Sequence, residues 1–247
     1  MGLSTVFVAL FVASVGSLLI ASSMLLMNDK HLDKLSGYFL YTASGILLGA
    51  AFLGMIPKAV EMLEVQKVTA FILIGILVLF TLEKFVLWRK CPDENCERNV
   101  DASTAVALVG DAFHHVIDGV VVTSSFLIST EVGITVTLSI IFHEVPKGLG
   151  DLSILIRNGL TRKKAFWYKT FTVSLAMIFG LIAYFLSESI KTIIPYVLSF
   201  SAASFLYLSL AELIPEMHKK STLKDSVTQI SFILIGVLII YLSLFLK

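Results

Sequence analysis

Residues 140–151 read IIFHEVPKGLGD, and residues 110–119 read GDAFHHVIDG. Each stretch lies inside a long apolar run of helical character. On a helix, His114 and Asp118 are four residues apart, His115 and Asp118 are three apart, and Asp111 precedes the two histidines by three and four. Residues at these spacings share a face. In the second stretch His143 and Glu144 sit near mid-span, Lys147 follows His143 by one turn, and Asp151 follows Lys147 by another. Imidazole and charged groups at the centre of a bilayer are costly unless they pair with one another or bind something. Two neighbouring helices carrying them in register therefore predict one buried polar site. Neutral imidazole beside carboxylate suits Zn2+, and also Fe2+ or Mn2+. Metal binding or proton handling is the functional reading; a hydrogen-bonded cluster without a ligand is the plain alternative. Pro146 has no amide hydrogen and frees a carbonyl one turn earlier. Gly148 and Gly150 permit close helix approach. Broken helices at mid-membrane are where transporters place their sites.

The rest of the chain predicts a lipid environment for this pair. Of 247 residues, 57% are hydrophobic and 15% charged, with a mean hydropathy of +0.90; soluble domains are about a quarter charged. The net charge of +1 points to no nucleic-acid partner. A membrane-spanning helix needs roughly 20 mostly apolar residues. Eight such stretches are expected, at about 4–26, 37–57, 68–89, 103–128, 133–157, 166–188, 193–216 and 227–246. The first is too long for a signal-peptide core and lacks a basic leader, so it is expected to be a span. Short connectors make residues 1–247 one all-α, polytopic transmembrane domain.

Loop charges predict its orientation. Thirteen basic residues fall on one side: Lys30, Lys34, Arg89, Lys90, Arg98, Arg157, Arg162, Lys163, Lys164, Lys169, Lys219, Lys220 and Lys224. Four fall on the other, at Lys58, Lys67, Lys191 and Lys247. The basic side faces the cytoplasm, so both termini are expected outside it. FLGMIPKAVE and LAELIPEMHK, around Pro57 and Pro215, repeat an Ile-Pro step in helices of opposite direction, as an inverted repeat of 3+2+3 helices would. Glu212 lies three residues before Pro215. Glu83 and Lys84 are adjacent, cannot share a face, and are expected to pair across helices or reach the interface. Cys91 and Cys96 lie in one loop, CPDENCERN, which reads as solvated in preference to a soft-metal site.

On these motifs the chain resembles the ZIP (Zrt/Irt-like) divalent-metal transporters. GDAFHHVIDG is similar to their HNxxDG-type motif, and FHEVPKGLGD to the HExPHExGD motif of the LIV-1 subgroup. GILLGAAFLGMIP and LYLSLAELIPE are similar to their second and seventh helices. The resemblance implies a mid-membrane centre of two metals: His114, Asp118 and His143 at one position; His115, Asp118, Glu144 and Glu212 at the other, bridged by Asp118. It implies influx of Zn2+, or of Fe2+, Mn2+ or Cd2+, by an elevator-like motion. The metal is the transported substrate, and no prosthetic cofactor is expected. The expected partners are divalent metal ions and the lipid bilayer of a cell or organelle, with a homodimer as the assembly to test. The chain departs from the family at Lys147, where a bridging His or Glu is usual, and at Gly54, where the subgroup has a histidine. A protonated lysine only donates and ligates no metal. Lys147 is therefore expected among Asp118, Glu144 and Glu212, replacing the charge of a second metal, with Asp111 and Asp151 modulating the site. The competing classes are an intramembrane metalloprotease, for which HEVPK departs from HExxH, and a non-transporting metal-sensing homologue.

Overall fold

A computed structural model describes residues 2–24, 29–90, 100–157, 160–186, 191–218 and 222–245. Among these residues the chain forms eight helical rods and no strand. Rod α1 covers residues 3–24, with a wider π-helical turn at Val12–Gly16. Rod α2 covers residues 29–62, with a π turn at Ala50–Met55. Then come α3 (Val65–Lys90), α4 (Val100–Ile128), α5 (Thr130–Arg157) and α6 (Arg162–Phe185). Rod α7 covers residues 194–218 with a π turn at Leu208–Leu213, and α8 is Leu223–Phe245. A helical rod lies at each of the eight stretches where a span is expected. The largest shift in boundary is at α2, whose helix continues through the polar segment DKHLDKLS before the apolar run begins. Six rods are individually long and apolar enough to cross a membrane, and α4 and α5, which carry the histidine motifs, are the two outside that set. Cys91 and Cys96 lie outside the described residues, as does the side chain of Glu212.

The repeat seen at two Ile-Pro steps is structural. In α2 and in α7 a six-residue π turn ends at Ile56-Pro57 and Ile214-Pro215, where an α-helical stretch resumes. Proline has no N–H for the carbonyl a turn earlier, so the helix changes register through a wider turn. Residues 194–207 of α7 touch residues 50–62 of α2, whereas residues 208–213 touch residues 29–49. The two helices are therefore antiparallel, carrying the same deformation in inverted directions.

The most extensive packing is of α4 with α6, of α2 with α8 and of α2 with α7. Lipid offers helices no hydrophobic drive to associate, so close backbone contact has to hold them. A Cβ on Gly119 would lie 2.0 Å from the Ala176 carbonyl oxygen of α6, and one on Gly45 would lie 2.0 Å from that of Ile233 in α8. Glu83 of α3 accepts a hydrogen bond from the Tyr207 hydroxyl of α7, which makes it the interhelical group expected. Lys84 lies over the Phe80 ring of its own helix, 5.5 Å from its centre.

One residue, Ser129, separates α4 from α5. Its hydroxyl accepts from the Val132 amide at 3.2 Å and its carbonyl from the Gly133 amide at 3.0 Å. This hairpin puts residues equidistant from Ser129 at one level. His114 and His143, about fourteen residues from the turn on either side, both lie roughly 21 Å along their helices. Asp111 and Lys147 are equidistant from Ser129 and face each other one turn further on.

Candidate metal centre

The α4–α5 hairpin brings four expected residues to one point. The Nε2 atoms of His114 and His143 are 3.3 Å apart. Asp118 Oδ2 is 3.4 Å from the first and 3.6 Å from the second. Glu144 Oε2 is 3.9 Å from His114 Nε2. Two nitrogens each about 2.1 Å from a tetrahedral zinc stand roughly 3.4 Å apart, so these separations match a coordination sphere. The His143 Nδ1 atom donates to the Ser139 carbonyl at 2.8 Å. A carbonyl only accepts, so Nδ1 carries the proton and Nε2 keeps its lone pair for the centre. Phe205 of α7 sets its ring edge-on against His143, with centroids 5.7 Å apart.

His143 and Glu144 are 1% and 2% exposed, and Asp118 is 4% exposed. Asp118 Oδ2 and both Glu144 carboxylate oxygens are buried yet accept no hydrogen bond. A buried carboxylate in that condition is expensive. A divalent cation at this point would satisfy Asp118 Oδ2, Glu144 Oε2 and both imidazole lone pairs. The residues therefore fit such a substrate.

A second cluster adjoins the first. His115 Nε2 lies 3.5 Å from Asp111 Oδ2 and 3.5 Å from Glu144 Oε1. The carboxylate common to both clusters is Glu144, whose two oxygens face opposite ways, where the resemblance implied Asp118. Lys147 also differs from expectation. Its ammonium contacts Asp111 Oδ1 and lies 3.7 Å from Asp151 Oδ2, at the rim. The hairpin explains this, because Lys147 is level with Asp111 and one turn away from the histidines.

The larger correction concerns Lys169, expected as a loop charge. It sits within α6 and is 1% exposed. Its ammonium lies 2.8 and 2.9 Å from the two oxygens of Asp111, 2.7 Å from Asp151 Oδ2, 3.3 Å from Glu144 Oε1 and 3.4 Å from His115 Nε2. Thr172, one turn on, donates to Asp111 Oδ2 at 2.7 Å. The signal for Lys169 was present in α6, whose buried face runs Ala165, Lys169, Thr172, Val173, Ala176, Gly180 and Ala183. That face is otherwise built of small or apolar residues, so a lysine on it has to be matched by acids from neighbouring helices. Without Lys169, twelve basic residues remain on the expected cytoplasmic side against four.

A profile of the ZIP zinc transporter family matches residues 3–103 and 90–244, nearly the whole chain. Zinc transporter zipt-7.2 of Caenorhabditis elegans is 30% identical over 151 residues, 59% of this chain and 32% of its own length. Zinc transporter ZIP13 of Pongo abelii is 28% identical over 232 residues, 87% of this chain and 68% of its own. Zinc transporter YKE4 of Saccharomyces cerevisiae is 25% identical over 228 residues, 78% of this chain and 66% of its own. The chain spans about a third of the length of the nematode relative. These relatives are named as transporters, not enzymes, and Lys147 stands where a zinc protease has its second histidine. Two polar motifs in otherwise apolar helices thus find their counterpart in a family profile that runs the length of the sequence: the chain is a multi-pass membrane protein and belongs to the ZIP zinc transporter family.

Proposed function

We propose that the chain carries a divalent metal cation, zinc first and Fe2+, Mn2+ or Cd2+ as alternatives, across a membrane into the cytoplasm. The observation that carries this reading is the convergence of His114, His143, Asp118 and Glu144, with two buried carboxylate oxygens, Asp118 Oδ2 and Glu144 Oε2, that accept no hydrogen bond. The ion exchanges part of its water shell for imidazole and carboxylate. Those ligands sit on two helices joined by a one-residue turn, so they travel as one body. Release requires that binding stay weak enough to reverse. Inward direction is what the family resemblance implies, and the loop charges favour both termini outside the cytoplasm. Glu212 enters by family resemblance, as a further ligand from α7. Lys147 is the counter-charge of the rim, holding Asp111 and Asp151 away from the metal.

The test is uptake of Zn2+, Fe2+ and Mn2+ into proteoliposomes containing the purified chain. Zinc accumulation above that of empty vesicles is the expected result. If none of the three ions crosses, the transport reading fails; metal bound without crossing would mark a metal-sensing homologue.

A further inference from the structure

Beside the four-ligand centre lies a second set of metal-ligating side chains, Asp111, His115 and Glu144, whose ligand atoms lie within 4.8 Å of one another. Their geometry alone offers a second metal position. The centre of that position is taken, because the Lys169 ammonium is within 3.4 Å of all three residues and is bonded to Asp111 through both oxygens. We propose that Lys169 is a tethered cation filling the second cation position, so that the transporter binds one divalent metal at a time. This rests on the metal site proposed above.

Charge balance supports it. Among the described residues, the carboxylates of the joined clusters are Asp111, Asp118, Glu144 and Asp151, and the ammonium groups are Lys147 and Lys169. Two negative charges remain uncompensated among these groups, and three once Glu212 is counted as a ligand; one divalent cation is the most that this charge accommodates without excess. A second divalent ion would leave at least one excess positive charge in a site where Glu144 is 2% and Lys169 1% exposed, and unbalanced charge is expensive there. A lysine also lacks the acceptor atoms of a ligand. It holds the acids in place without competing for the metal at His114 and His143. Because Lys169 comes from α6 and the acids from α4 and α5, the same contact ties α6 to the moving hairpin.

Metal content of the detergent-purified chain, equilibrated with Zn2+ and then freed of excess ion, tests this apart from transport. The wild type is expected to hold one zinc. Lys169→Ala, with Asp111, His115 and Glu144 intact, is expected to hold two. Two zinc ions in the wild type, or one in a folded Lys169→Ala, would overturn the inference while leaving the transport reading intact. No zinc in the wild type would overturn both. Should Lys169→Ala fail to fold, His115→Ala decides with Lys169 in place. One zinc retained there, and lost in His143→Ala, supports the inference; a fall from two zinc ions to one overturns it.

Discussion

His143 is held by two features that do different work. Its Nδ1 proton is committed to the Ser139 carbonyl, and its Nε2 atom faces His114 and Asp118. Removing the ring deletes a ligand outright. His143→Ala is therefore expected to weaken zinc binding by more than the roughly 10–100-fold typical of losing a supporting group, as isothermal titration would show. Thr172→Val keeps shape and removes only the donor to Asp111 Oδ2. It is expected to cost about 2 kcal/mol of stability, since the acceptor is charged, while thermal melts of the zinc-bound form still show ligand stabilisation. Loss of zinc binding in Thr172→Val would mean that Asp111 belongs to the metal site itself. At this scale the meeting of His114, His115, Asp118, His143 and Glu144 was legible in the sequence, because helical spacing puts them on one face of each helix. Lys169 was not legible as part of it, because a lysine about two turns from a loop carries no local mark of which acids meet it. Only the α4–α6 packing decides that.

Rods α4 and α6 approach through backbone at Gly119. Gly119→Val is expected to push them apart and to destabilise the protein by about 1–3 kcal/mol or more, because the obstructing atom is a carbonyl oxygen that cannot rotate away. Gly54→Ala is the matched control: its nearest neighbours, Thr135 and Leu244, stand at 3.8 and 3.9 Å. Thermal denaturation in detergent should separate the two variants clearly, and equal melting temperatures would contradict the packing described. The presence and order of the eight rods were legible from hydropathy. The π turns of α2 and α7 were not, because a widened turn leaves side-chain composition unchanged; Pro57 and Pro215 were the visible trace.

Among the described residues, the buried charged and imidazole groups of the whole molecule are collected on the α4–α5 hairpin and α6. Loop charges remain twelve to four after Lys169 is moved inward, so the expected orientation is unchanged. Single cysteines placed at Lys58 and at Lys163, in a chain lacking Cys91 and Cys96, should be labelled from opposite sides of the membrane. Labelling from one side would reverse or break the topology. Protons compete with metal for imidazole and carboxylate ligands, so zinc uptake is expected to be faster near pH 7 than near pH 5. Initial rates at the two values decide this, and a rate that rises toward pH 5 would indicate a proton-driven cycle instead. The account as a whole depends on the hairpin centre being the place through which metal passes. Its most direct test is the rate of zinc uptake into proteoliposomes by the wild type and by His143→Ala at equal protein density. Uptake by the wild type, with at least a tenfold loss in the variant, is the predicted result; equal uptake by both would contradict it.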